Sequence, residues 1–326
     1  MVKNVTSVAL PVDEVLSIKK RRIVPQFIKD YKGSKREKEL KKLKRISIVT
    51  GTHGDELEGQ YVCFELARRI EERIDNLTGI VDIYPAINPL GIDSITRGIP
   101  AFDLDMNRLF PGNIDGNMTE YLAAGIVNDI EGSDAVIDIH ASNIFLTEIP
   151  QIRINELHED VLVPMAEKTN VDFIWVHGAS TVLESTFAYA LNSIGTPVLV
   201  VEMGVGMRIT QSYGDQLVDG IFNLMREMGI WSGQTKQPRK AIISRNPEDV
   251  YYLNAEKSGV FIPRAKHGEY LNEGDLIGRV VDPLYGKVLS EVIAPVEGLL
   301  FTIRDFPIVD EGSLIGRLLR KEALES

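Results

Sequence analysis

Three short β-branched runs, each stopping at a polar residue, constrain this chain more than any other feature. They are Arg45-Ile-Ser-Ile-Val-Thr-Gly51, running into His53; Ala135-Val-Ile-Asp-Ile139, running into His140; and Pro197-Val-Leu-Val-Val201, running into Glu202. Runs this short and apolar read as strands buried on both faces of a sheet. Helical patterns separate them over residues 56–74, 119–130 and 212–228, the last with Leu217, Ile221, Leu224 and Met228 on one face. Strands alternating with helices predict an α/β fold: a mixed, largely parallel sheet with helices on both faces.

Residues 1–44 read as an N-terminal arm, with the basic run 32–45 a solvated arm or helix face. The α/β domain is expected over residues 45–235. Polar residues with Gly and Pro at 233–239 read as a linker. Beyond it, short strand-like pieces separated by turns predict a small all-β domain over 241–326, capping the site. That segment resembles the half-barrel of biotinyl and lipoyl modules, notably in Glu273-Gly-Asp-Leu-Ile277 and Ala294-Pro-Val-Glu-Gly298.

A net charge of −11 argues against nucleic acid or an anionic membrane as partner, because the summed field repels polyanions. Cys63 is the single cysteine, which excludes an intrachain disulfide and a thiolate metal cluster. The first residues hold no continuous apolar run, so no signal peptide is expected and the cytoplasm is the default compartment.

Ligands of open α/β sheets bind at the carboxyl edge of the strands, where His53, His140 and Glu202 are expected to converge. Glu56 follows His53 by three residues, which brings both side chains to a common side at a helix start. Two imidazoles and a carboxylate suit Zn²⁺ with a fourth position for water, whose pKa the metal lowers. Glu202 is the natural acid/base to move the proton to a leaving nitrogen. Taken alone, His53 also reads as a solvated loop histidine, and His140 as a strand-end histidine bonded to backbone. Arg97 and Arg108 flank an aperiodic stretch, where they could grip a substrate carboxylate with Asn107, or pair with Asp103 or Asp105.

His53-Gly-Asp-Glu56, Asn88-Pro89, Thr96-Arg97, Asp105-Met-Asn-Arg-Leu-Phe-Pro-Gly112, Asp138-Ile-His140 and Val201-Glu-Met-Gly204 together resemble the succinylglutamate desuccinylase/aspartoacylase family of zinc carboxypeptidase-like hydrolases. The resemblance covers about residues 45–320, including the small β domain. It implies a hydrolase cleaving the amide bond of a small N-acylated amino acid, with one zinc ion per chain. His53, Glu56 and His140 would be its ligands, a metal-bound water the nucleophile and Glu202 the general acid/base. Arg97, Asn107 and Arg108 would hold the substrate carboxylate, with Arg97 also polarising the scissile carbonyl. Asp105 would orient Asn107 or Arg108. The segment between Arg97 and Asn107, which includes Gly98-Ile-Pro-Ala-Phe102, is longer than in aspartoacylases proper and resembles the bacterial acyl-diamine and general deacylase branches.

Further residues are weighed on the same footing. Glu148 could select a cationic substrate side chain, or serve as a solvated or helix-capping carboxylate. Arg153 could select an acidic one. A tyrosine from the C-terminal domain often joins the family's site; Tyr285 and Tyr270 are the candidates. His177 ends the apolar run Phe173-Ile-Trp-Val176 and reads as a pocket, alternative-ligand or surface residue, while His158 and His267 read as surface. A peptidase using the same groups, and a non-catalytic zinc-binding protein, are the competing readings. The sequence leaves self-association into a homo-oligomer open.

Overall fold

The computed structural model describes residues 1–100, 102–178 and 183–325. The chain opens with a hairpin, β1 (Val2–Ala9) and β2 (Val15–Ile23), followed by α1 (Gly33–Leu40). Then come β3 (Arg45–Thr50), α2 (Glu58–Glu72), β4 (Ile80–Tyr84), α3 (Pro89–Ser94) and α4 (Met118–Ile130). After these follow β5 (Ala135–Ser142), β6 (Leu146–Asn155), α5 (Glu159–Ala166), β7 (Phe173–His177), α6 (Phe187–Ser193), β8 (Val198–Val205) and α7 (Gln211–Glu227). The large sheet has the order β1-β2-β4-β3-β5-β8-β6, parallel through β4-β3-β5-β8 and antiparallel at β2-β4 and β8-β6.

The three expected strands are β3, β5 and β8, and both of their faces are covered. Ile46, Ile48, Ile137, Ile139, Leu199 and Val201 pack with α2 and α7, while Val49, Val136 and Val198 pack with α4 and α6 on the other face. Alternate residues of each strand point to opposite faces, so two helical layers require an apolar residue at nearly every position. The expected helices are α2, α4 and α7. α4 starts at Asn117, whose side chain accepts from the Thr119 and Glu120 N–H groups while Glu120 accepts from the Asn117 N–H. That reciprocal capping satisfies backbone donors that the first helical turn leaves free.

One expectation requires correction. Residues 1–44, read as an N-terminal arm, are in part integral to the sheet, because β2 pairs with β4 and extends it. Charged side chains hold the hairpin there. Asp82 is fully buried and accepts from Lys20 Nζ at 3.1 Å and Arg22 Nε at 2.7 Å, while Asp129 accepts from Lys20 at 2.5 Å. A Lys- and Arg-rich strand is docked here by paired charge rather than by apolar alternation. Residues 146–155, which the sequence reading assigned to no strand, form β6 in the middle of the sheet.

The C-terminal part contains β9 (Ile242–Ser244), β10 (Val250–Asn254), β11 (Gly259–Pro263), β12 (Tyr270–Leu271), β13 (Leu276–Asp282), β14 (Lys287–Ile293), β15 (Gly298–Arg304), β16 (Ile308–Val309), β17 (Leu314–Arg320) and the short α8 (Lys321–Glu325). β11, β13, β14 and β16 form a four-stranded sheet. It packs on β10, β15 and β17 through Phe261, Ile277, Val280, Leu300, Ile315 and Leu318. The second layer is continuous with the large sheet, because β15 pairs antiparallel with β6, Thr302 opposite Glu148. No described helix is long and apolar enough to cross a membrane.

α7 lies close enough to the turn after α5 that a Cβ at Gly220 would sit 1.7 Å from the Thr169 carbonyl oxygen. Gly220→Ala should therefore lower stability by about 1–3 kcal/mol through overpacking, read as a reduced urea midpoint with an unchanged slope.

Candidate active site

The loop leaving β3 carries His53 and Glu56, and its course depends on contacts that only small residues allow. Gly51 has φ +69°, and a Cβ at Gly54 would lie 1.9 Å from the Gly91 carbonyl carbon. Asn88 clasps the neighbouring segments: its Nδ2 donates to the Thr52 and Gly98 carbonyls at 3.3 and 3.1 Å, and its Oδ1 accepts from Gly91 N at 3.0 Å. The Asn-Pro pair thus ties the His53 loop to the Arg97 loop at the start of α3.

His53, Glu56 and His140 meet, each at most 4% exposed, with one potential ligand atom from each within 4.8 Å of the others. His53 Nδ1 lies 2.7 Å from Glu56 Oε1, and His140 Nδ1 lies 2.8 Å from Glu56 Oε2. The opposite ring nitrogens face carboxylates: His53 Nε2 lies 3.0 Å from Asp105, and His140 Nε2 3.1 Å from Asp138. Burial opposes charge on every member of this group. Even so, His140 and then His53 hold the Glu56 carboxyl down at about 2. The carboxylates in turn raise both imidazoles, His140 well above its ordinary value through Asp138 and Glu56. Two nitrogens and a carboxylate facing one point, with an acid behind each ring to fix its orientation, fit a divalent transition metal that exchanges for those protons.

Glu202 stands beside this cluster because β5 and β8 run in register, with His140 opposite Glu202. Paired residues on neighbouring strands share a face of the sheet. Burial pushes the Glu202 carboxyl up to about 7, while Arg153 and His140 pull the other way. Arg153 Nη1 lies 3.5 Å from Glu202 Oε1. From Glu202 a cavity of about 490 Å³ runs along β8 and β6, lined by Arg153, Asn155, His177, Tyr189 and Tyr252. The Asn155 Oδ1 accepts from Leu157 N at 2.9 Å, and its buried Nδ2 has no partner among the described residues. His177 Nε2 and Arg153 Nε are likewise buried without one. Burial, then Arg153 and Arg317, lower His177 to about 4, so its ring is neutral near pH 7.

The remaining expected residues divide. Arg97 reaches the cluster, 3.2 Å from Glu56 Oε1 and 3.3 Å from Asp105 Oδ2. Asn107 and Arg108 lie in the adjacent 3₁₀ turn, residues 106–108, and do not line the cavity below Glu202. Asn107 Oδ1 accepts from Phe187 N at 2.9 Å at the start of α6, and Arg108, exposed, donates to the Asn107 carbonyl at 2.8 Å. Asp105 accepts from the Asn107 backbone N–H but bonds His53 and Arg97, not the Arg108 side chain. Ala101, within the 98–102 segment, lies outside the described residues.

Three expectations fail on geometry. Glu148 is fully buried and spent: Arg153 Nη2 donates to both its oxygens at 2.9 and 3.1 Å, Arg317 Nη1 at 2.5 Å and Thr302 Oγ1 at 3.3 Å. It positions Arg153 and has no free oxygen for a cationic substrate. Tyr285 sits 68% exposed in the turn between β13 and β14, and Tyr270 Oη donates to Glu297; neither lines the cavity. The C-terminal tyrosine at the site is Tyr252 of β10. His267, read as surface, bonds Tyr213 Oη and the Phe301 carbonyl. Arg153 and Asn155 had a legible signal, the polar-apolar alternation Gln151-Ile-Arg-Ile-Asn155, which marks a strand with one polar face.

Residues 42–228 match the family model for the succinylglutamate desuccinylase/aspartoacylase catalytic domain. The chain is 26% identical over 259 residues to the N-alpha-acetyl-L-2,4-diaminobutyric acid deacetylase of Halomonas elongata, covering 77% of this chain and 72% of that protein. Among solved structures it is similar to the ectoine utilization protein EutE (DoeB) of Ruegeria pomeroyi in its product-bound form, with TM-score 0.78 and 20% identity over 97% of this chain and 93% of that one. It is equally similar to a succinylglutamate desuccinylase from a Silicibacter species, with TM-score 0.78 and 22% identity over 96% of this chain and 93% of that one. At these identities the structural likenesses establish the fold.

The Glu148 knot generates a stability expectation. Glu148→Ala leaves Arg153 and Arg317 facing each other without their shared carboxylate, and should cost roughly 3 kcal/mol, read from the urea midpoint.

Proposed function

The chain belongs to the succinylglutamate desuccinylase/aspartoacylase family, a family of N-acyl amino acid deacylases, and on that premise we propose that it hydrolyses the amide bond of a small N-acylated amino acid. The observation that carries this reading is the register of β5 and β8, which sets a carboxylate tuned near neutrality beside a buried His-Glu-His cluster. We assign His53, Glu56 and His140 as the ligands of one zinc ion. When bound, such an ion supplies a Lewis acid that polarises the scissile carbonyl and lowers the pKa of a water.

The protein's own groups account for the rest. Glu202 takes a proton from the attacking water and hands it to the leaving nitrogen, so amide and water become a carboxylate and an amine. A carboxyl near pH 7 suits both halves of that transfer, because neither protonation state is strongly preferred. Arg97, beside Glu56 and still 43% exposed, can donate to the carbonyl oxygen as negative charge develops on it. Asn107 Nδ2 and Arg108 are the donors proposed for the α-carboxylate. The Glu202 cavity takes the remaining end of the substrate. Its wall presents Arg153 and the Asn155 amide N–H, which favours a group that accepts hydrogen bonds and disfavours a bare ammonium. Tyr252 from β10 lines the same cavity, which supports a small substrate over a long peptide.

Three outcomes test the assignment. Glu202→Gln should cut kcat by at least about a hundredfold on N-acyl amino acids while leaving bound metal unchanged, measured as amine release and by elemental analysis. In wild type, kcat/KM should rise with pH through a midpoint at or below about 7, since proton abstraction needs the ionised carboxylate and a nearby dication draws its pKa down. Equal activity of the variant would refute Glu202 as the base. Treatment with a chelator should abolish amine release, and added Zn²⁺ should restore it; activity that persists in metal-free protein would refute the metal assignment.

A further inference from the structure

We propose that a cavity between the N-terminal hairpin and α1 binds a small phosphate-bearing molecule. The cavity, about 690 Å³, opens at the outer edge of the sheet and shares no residue with the one below Glu202. Five cationic side chains line it: Lys3 of β1, Arg21 and Arg22 of β2, Lys29, and Arg36 of α1. Such a gathering of positive charge is notable in a chain of net charge −11.

Internal partners do not neutralise the cluster. Glu71 pairs with Arg21, and Asp82 is occupied by Arg22 and Lys20. Lys29 Nζ donates to the neutral Gln26 amide oxygen. Lys3 forms no ion pair among the described residues, and Arg36 Nε is buried without a hydrogen-bond partner. Glu37 is the one lining acid without a cation in contact. Burial, followed by Arg22 and Lys20, lowers the Lys3 pKa, with Asp82 opposing and Arg36 adding to the effect. Cations crowded in this way are stabilised by an external anion.

The backbone supplies a second, independent contribution. α1 begins at the cavity wall with Gly33, has no side-chain N-cap and carries no acidic residue in its first turn. A Cβ at Gly33 would meet no atom within 4 Å, so this helix start stands open. Backbone N–H groups at a helix start that shares a cavity wall with cationic side chains are donors suited to phosphate oxygens. The cavity's concave shape and the chain's overall negative field favour a compact ligand over an extended polyanion.

Calorimetric titration of the full, metal-loaded protein with inorganic phosphate and with pyrophosphate, at ionic strength fixed with KCl, tests the proposal. Saturable 1:1 binding of pyrophosphate is expected, tighter than that of phosphate. It should weaken at least tenfold in Lys3→Gln and in Arg36→Glu and be retained in Lys3→Arg. No α1 residue is fully buried and Arg36 is half-exposed, so Arg36→Glu changes charge at the cavity wall without removing a core side chain, and an unchanged urea midpoint checks the fold. Absence of saturable heat in wild type, or unchanged affinity in both Lys3→Gln and Arg36→Glu, would overturn the proposal; the latter would place the anion elsewhere, including at the metal cluster.

Discussion

Everything chemical in this molecule depends on one carboxylate. Glu56 holds two imidazoles at once, His53 through one oxygen and His140 through the other, and accepts from the Ala141 backbone N–H at 3.2 Å. Those contacts join the loop after β3 to the end of β5. A carboxylate buried this deeply would be costly if unpaired, so the surroundings must be arranged to keep it charged. Asp105 and Asp138 extend the arrangement outward by holding the far nitrogens, and the alternation of acid, ring, acid and ring sets each ring's orientation.

The sheet turns this local knot into a candidate active site. Parallel register places Glu202 beside His140, and the antiparallel partner β6 contributes Arg153 across from β8. β6 also pairs with β15, so the same strand connects the site to the C-terminal sheets. Glu148, sealed between Arg153 and Arg317, is the charge contact across that junction. The C-terminal strands are therefore part of the site's support. Thr302 and Arg317 bond Glu148, which in turn holds the Arg153 that faces Glu202, and β10 contributes Tyr252 to the cavity.

Paired charge also docks β2 toward the outer edge of the sheet, where Lys20 and Arg22 meet Asp82. That docking explains why residues 1–44 read as an arm. A strand rich in Lys and Arg looks like a solvated arm unless the buried acid waiting for it is known, and that acid lies some 60 residues away. In β6 the alternation of polar and apolar residues is a strand pattern, and its polar face meets the cavity beside Glu202.

The sequence by itself determined the three central strands, the helices α2, α4 and α7 that cover them, and the identity of the metal-binding and acid/base candidates. These features are local: burial on both faces writes a continuous apolar run, and chemistry at a strand's carboxyl edge writes a polar residue where the run stops. Only the tertiary structure decided that Glu148 is consumed by two arginines, that Tyr252 rather than Tyr285 lines the cavity beside Glu202, and that Arg153 borders Glu202. Those outcomes rest on pairings between residues as much as 169 positions apart, as for Glu148 and Arg317. Burial and partner identity at such separations follow from strand register and sheet order, which no window of sequence contains.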